Sequence, residues 1–387
     1  MATIPKIQHN LIQVGRALNL FRLGNNLAGV FIPLVILKSG GALWEIALFY
    51  LVYALVKLCV NYSFMKIIQR RGAHFGLGAG FIFSALQLAA ILSYSHYQNI
   101  IILILAGILL AFTNAFVWNA QHYYISSNMD PLTKSSSIAA IEIYGRIFDI
   151  VSPILGGLIG AKFGAAWLLL ASLVCVMSAF VPLRRLKEDF VYQPSEKLRY
   201  NLKGAPIRDL IANYCFNIET IVGSLAWPIY LAIVIGSYKS IGLITALAAM
   251  AAIATTWVAG YQGDSGKDRT VLRQGIAASS VIDLLRLAAT SLLSITVVGA
   301  VYRAALAYFQ NSWTSIYYGH ARNKGAQYII SMEIACDLAY ATFWSILLVL
   351  TLTSSNTHLI FNIVFVIAAI AAWGCLAITR QRQLIKE

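Results

Sequence analysis

The chain has 387 residues, of which 59% are hydrophobic and 11% charged, and its mean hydropathy is +0.73. So apolar a balance excludes a water-soluble globule, and the long apolar runs suit helices rather than the short alternating strands of a barrel. Lys and Arg number 29 against 15 Asp and Glu, a net charge of +14, but the basic residues sit in alternate loops rather than in one patch, which argues against nucleic acid as a partner.

A helix rising 1.5 Å per residue needs about 20 residues to cross the hydrocarbon. Hydropathy predicts spans at residues 12–37, 43–66, 74–94, 99–123, 136–160 and 165–183, then 207–235, 241–262, 272–291, 296–319, 326–352 and 358–379. The longest polar interval runs from Arg184 to Arg208 and divides these spans six and six. The expected fold is therefore an all-α membrane protein, twelve transmembrane helices in two pseudo-symmetric six-helix bundles. Residues 1–183 form the first bundle, 184–206 a cytoplasmic linker and 207–387 the second.

With both termini inside, the inner segments carry twenty Lys and Arg, while the outer loops carry only Lys38, Lys162 and Lys239. Cytoplasmic loops retain positive charge. Both termini are thus expected in the cytoplasm, on an integral multi-pass protein of the plasma or cytoplasmic (inner) membrane whose basic loops face anionic lipid headgroups. The N-terminus shows no short apolar stretch followed by a cleavage site, so no removable signal is expected. Cys59, Cys175, Cys215, Cys336 and Cys375 lie in or beside apolar runs without CxxC spacing, which reads as packing rather than disulfides or zinc.

Polar residues inside the spans mark where function is expected, because they are costly in lipid. The first span carries Asn19, Arg22, Asn26 and Pro33 on one face, and the second Tyr53, Lys57 and Asn61. The fourth repeats the pattern with Asn114, Trp118 and His122, and the fifth with Glu142, Arg146 and Asp149. In the second half the seventh span presents Asn213, Asn217, Thr220, Ser224 and Pro228, the tenth Arg303, Gln310, Trp313, Thr314 and Tyr317, and the eleventh Glu333, Asp337 and Tyr340. Counted along their helices, Arg146, Asp149 and Asp337 lie roughly 15–20 Å from the cytoplasmic end, near the centre of a ~30 Å core. In the ninth span, the three-residue spacing of Asp283 and Arg286 predicts a mutual ion pair.

The two halves repeat. A shift of 195 residues carries Pro33 onto Pro228, Gly80 onto Gly275, Trp118 onto Trp313 and Tyr123 onto Tyr318; after the tenth span a shift of 191 aligns Ile141-Glu142-Ile143 with Met332-Glu333-Ile334. Six plus six helices, parallel repeats and a basic central linker resemble the major facilitator superfamily over essentially the whole chain. The loop after the eighth span, Gly260-Tyr-Gln-Gly-Asp264-Ser-Gly266-Lys267, is similar to that family's Gly-x-x-x-Asp-Arg-x-Gly-Arg motif, whereas the first-half copy keeps only Arg70 and Gly72 and has Met65 and Gln69 at the leading Gly and the Asp. Pro153-Ile-Leu-Gly156-Gly157 resembles part of the family's antiporter motif, with Ser152 where a Gly is expected, and small residues there also permit close helix packing.

The resemblance implies that helices 1, 4, 7 and 10 line a central cavity and that the chain is an alternating-access carrier. Arg22, Asn26, Asn114, Trp118, Arg146, Asn217, Gln310 and Trp313 are the expected substrate contacts. Asp149, Asp337, Glu142 and Glu333 are the candidates for carrying a coupling proton. Asp264, Gly260, Gly266, Pro33 and Pro228 are the candidate gating and hinge positions. The same charges also suit plain ion pairs between helices. The expected cargo is a small organic solute or an amphiphile, moved by a monomer in contact with membrane lipid and protons. A drug or lipid exporter, or lysolipid flippase, of the same fold is the alternative. No HExxH, GxSxG or clustered His is present, and no GxxxxGK[ST], so an intramembrane enzyme or a nucleotide-driven pump is disfavoured and no cofactor or metal is expected; a non-transporting sensor is a remote alternative.

Overall fold

The structure, a computed structural model, describes residues 4–128, 134–185, 199–264 and 268–379. All twelve predicted spans are helical, and no strand occurs among the described residues. The chain divides into two compact units, Met1–Lys197 with Ser237–Gly242, and Leu198–Gly236 with Leu243–Glu387.

The first unit contains α1 (Ile4–Gly29), α2 (Ile32–Lys38), α3 (Leu43–Arg71), α4 (Ala73–Tyr97), α5 (Ile100–Asn128), α6 (Lys134–Phe163), α7 (Ala165–Ser178) and α8 (Phe180–Leu183). The first predicted span is therefore broken at residues 30 and 31, because Pro33 enters the first turn of α2 and has no N–H to continue the ladder. Consecutive spans α3 and α4 meet at Gly72, whose φ of 89° admits glycine without strain. α4 packs on α5 through Gly80, where a Cβ would overlap Val117. Glu45 in the first turn of α3 accepts the Ala42 N–H at 2.7 Å and caps that helix.

The second unit contains α9 (Ile207–Ile221), α10 (Trp227–Val234), α11 (Tyr238–Asp264, whose start belongs to the first unit), α12 (Asp268–Leu285), α13 (Leu292–Lys324), α14 (Ala326–Thr353) and α15 (Thr357–Gly374). α9 and α10 make one span interrupted by a π-helical segment, Val222–Ala226, directly before Pro228. The equivalent prolines of the two halves thus both follow a break in the α-helical ladder. Gly275 of α12 lies against Phe309 of α13 as Gly80 does against α5, so the repeat extends to the close approach of third and fourth spans. The core of this unit is built from Leu272, Ile276, Tyr302, Phe309, Trp313 and Tyr328.

Among the described residues, ten helices are long and apolar enough to cross a membrane. The other two predicted spans correspond to α6, where the side chains of residues 134–144 and 146 lie outside the described set, and to α12, whose 18 residues include Asp268, Arg269, Arg273 and Asp283. Large apolar side chains within spans are exposed, Val174 by 65% and Ile370 by 68%, while polar Ser172, Glu219 and Asp283 are wholly buried. That inversion of the aqueous pattern fits a lipid surround.

Candidate functional site

In the first unit the candidate residues assemble along α1 and α6. Asn26 donates to Asp149 Oδ1 at 2.8 Å. One turn earlier on both helices, the guanidinium of Arg22 fills the space that a Cβ on Gly145 would need. Two successive turns of α1 therefore set polar groups against two successive turns of α6. Tyr53, Lys57 and Asn61 are buried on α3, and Asn61 Oδ1 accepts from Asn119 of α5 at 2.7 Å. Asn114 donates to Leu110 O of its own helix at 3.1 Å, and Trp118 is 46% exposed. The side chains of Glu142, Arg146 and His122 lie outside the described residues.

In the second unit α9 and α14 form the corresponding pair. Asn213 donates to Met332 O at 2.7 Å, Asn217 donates to Asn213 O at 2.8 Å, and the Cys336 thiol donates to Asn217 Oδ1 at 3.0 Å. Asp337 is 1% exposed. Glu333, Cys336 and Asp337 bring their donor atoms within 4.8 Å of one another, a grouping the spacing of Glu333 and Asp337 foreshadowed without its thiol. Gln310 is half-buried on α13, while Trp313 is buried and stacked on Phe216, centroids 4.7 Å apart at 9°. Its ring therefore serves the core of the unit.

The repeat registers make these two pairings equivalent. The shift of 195 carries Arg22 onto Asn217, and the shift of 191 carries Gly145 onto Cys336. The same two helical positions meet in each half, a long side chain facing no side chain in one and two short ones in the other. Gly156 of the antiporter-like motif has a local role, since a Cβ there would overlap Leu27 O of α1. Gly260 and Asp264 fall at the end of α11 with side chains outside the described residues, as is Gly266 altogether.

Two buried networks join residues from separate spans, and only the Asp283–Arg286 pair within them was legible in the sequence. Asp209 at the start of α9 accepts from Tyr328 at 3.1 Å, from the Thr379 N–H at 2.8 Å and from the Thr379 hydroxyl, and it faces His320 Nδ1 at 3.0 Å. Glu219, nearly three turns further along α9, accepts from Tyr302 at 2.7 Å and from Ser279. Beside it Arg286 donates to Asp283 at 2.7 Å, the pair expected from their spacing.

No protein-family model and no curated protein sequence matches the chain. Solved structures do. A bacterial homologue of the iron transporter ferroportin superposes with a TM-score of 0.72 at 16% identity, covering 95% of this chain and 97% of that one. A variant of the nucleoside transporter NupG gives 0.69 at 13%, covering 96% and 100%, and a bacterial homologue of the human lysosomal transporter Spinster gives 0.63 at 14%, covering 96% and 98%. The chain has the major facilitator fold. With ten apolar helices of spanning length among the described residues it is an integral, multi-pass membrane protein, and the three neighbours named here are transporters.

Proposed function

We propose that the chain is a secondary transporter working by alternating access, with both termini in the cytoplasm, acting as a monomer on a small polar or amphiphilic organic solute. The observation that carries this reading is the repeated pairing of first-span and fifth-span positions, Arg22 with Gly145 and Asn217 with Cys336, in a fold shared with known carriers. Such polar groups at mid-depth are expensive in lipid and are retained where they meet a solute. Arg22, Asn26 and Arg146 in the first bundle, with Asn114 and Trp118, supply donors and an aromatic face. Asn217 and Gln310 supply amide donors in the second.

Asp149 and Asp337 are the carboxylates assigned to proton coupling, supported by the Asn26 bond of the one and the burial of the other. Glu142 and Glu333 lie towards the cytoplasmic ends of the same helices and assist. Pro33 and Pro228 are the hinges, supported by the breaks that precede them, and Gly260, Asp264 and Gly266 form the cytoplasmic gate. An exporter of amphiphiles uses the same machine in the opposite direction.

One observation favours a second cargo. Glu333, Cys336 and Asp337 present two hard donors and one soft donor together, a set suited to a divalent transition-metal ion as transported substrate. A bacterial metal transporter also shares the fold, with a TM-score of 0.63 at 14% identity.

The test is uptake into proteoliposomes across a panel of nucleosides, lysophospholipids, other organic ions and divalent metals, with and without a pH gradient. Saturable flux of one class, stimulated by the gradient, is expected. Metal flux that disappears in Cys336→Ser would select the second cargo, and a reconstituted, folded protein that moves nothing in the panel counts against the carrier reading.

A further inference from the structure

The second bundle holds three charged side chains in a place where the fold does not need them. Glu219 of α9, Asp283 of α12 and Arg286 just beyond it are all 1% exposed or less. Tyr302 of α13 donates to Glu219 Oε2 at 2.7 Å, Ser279 donates to Glu219 Oε1, and Arg286 donates to Asp283 Oδ1 at 2.7 Å. The guanidinium also lies over the rings of Tyr302 and Trp227, 3.5 and 4.5 Å from their centroids. The repeat shift of 195 places Gly24, Leu88 and Ile91 at the positions of Glu219, Asp283 and Arg286, and Ser84 at that of Ser279. Leu88 and Ile91 are buried in the first unit. A six-helix bundle of the same architecture therefore forms with no charge at these three positions.

Charge counting then points to a ligand. Two carboxylates and one guanidinium leave a surplus negative charge in a site closed to water, and an uncompensated ion there is far costlier than a bound proton. Among the described residues, the other titratable groups packed on Glu219 are Tyr302, Asp283 and Arg286, together with the Cys375 thiol in the turn after α15; Cys215, one turn earlier on α9, lies against Gly374. None of these supplies a second cation.

We infer that Glu219, Asp283 and Arg286 together bind one exchangeable proton, so that this triad is a second proton-binding site of that bundle, separate from Asp337. Its position explains how occupancy reaches the helix. The π-helical segment Val222–Ala226 begins three residues after Glu219, and Gly223 within it makes room for the Tyr302 hydroxyl, so that hydroxyl is wedged between the carboxylate and the irregular turn. Such π-turns recur at functional sites. Any straightening of α9 into α10 moves Gly223 against Tyr302 and breaks its bond to Glu219, exposing the proton to exchange.

This inference rests on the carrier reading above only for the use made of the proton, which is bound in addition to any carried by Asp149 and Asp337. The measurement is the infrared C=O band of protonated carboxyl groups for the full chain in proteoliposomes at neutral pH, taken in H2O and D2O. One deuterium-sensitive carboxyl should disappear in Glu219→Gln and equally in Asp283→Asn, because either change balances the charge. It should persist in the double variant Asp283→Leu/Arg286→Ile, where Glu219 is left without a cation. Identical spectra for wild type and both single variants would overturn the assignment, and if one single variant does not fold the other reads the same quantity. No substrate enters this measurement, so a negative spectrum leaves transport standing, and an absence of flux leaves the proton site standing.

Discussion

The guanidinium of Arg22 occupies the volume that any side chain at position 145 would claim. The contact is with the far end of a flexible side chain, so Gly145→Ala displaces Arg22 without forcing α1 and α6 apart. Losing a charge-assisted hydrogen bond to substrate is worth about 1.5–3 kcal/mol, which weakens binding roughly ten- to hundredfold. The expected result is that loss with an unfolding temperature within about 4 °C of wild type, read by binding isotherms and thermal unfolding in detergent. Unchanged affinity would remove Arg22 from the contacts.

Asp149 and Asp337 are expected to separate binding from coupling. Asp149→Asn keeps an acceptor for Asn26 but removes the ionisable group. In proteoliposomes it should retain substrate counterflow and lose accumulation driven by a pH gradient. If Asp149→Asn and Asp337→Asn both accumulate substrate like wild type, neither carboxylate belongs to the coupling step.

The Asp209 network ties the start of α9 to α13, α14 and the segment after α15. Asp209→Ala strands His320, Tyr328 and Thr379 in a buried site and should cost about 3–5 kcal/mol. Arg208→Ala, at an exposed neighbour, should change stability by no more than about 0.5 kcal/mol. Chemical or thermal unfolding of the two variants side by side decides it, and equal stabilities would refute the structural role.

Close helix approach makes a further contrast. At Gly275 an added methyl meets the backbone and Cβ of Phe309, so Gly275→Ala should destabilise by about 1–3 kcal/mol. At Gly29 nothing lies within 4 Å, and Gly29→Ala should be neutral or stabilise by up to about 1 kcal/mol. The same unfolding measurement distinguishes them, and a tolerated Gly275→Ala would show that α12 and α13 are not held at that distance.

Some of the candidate site was legible along the chain. Asp283 and Arg286 are three residues apart on one helix, so their pairing follows from local geometry. Asn26 and Asp149 stood out because polar residues in apolar spans are costly, although their bond joins positions 123 residues apart. Glu219 gave no such signal, since its partners Ser279 and Tyr302 are 60 and 83 residues away and ordinary in themselves. Trp313 looked equivalent to Trp118 by register, yet the Trp313 ring is buried on Phe216 while Trp118 is 46% exposed.

What the amino-acid order determined by itself is the solvent, the helices and the duplication. Hydropathy, helix length and proline position are properties of short segments, and lipid leaves helices no alternative way to satisfy their backbone. What only the tertiary structure decided is which buried polar groups share a charge. That depends on side chains from different helices arriving within 3 Å of one another, and at such range a single displaced turn separates an ion pair from a proton site.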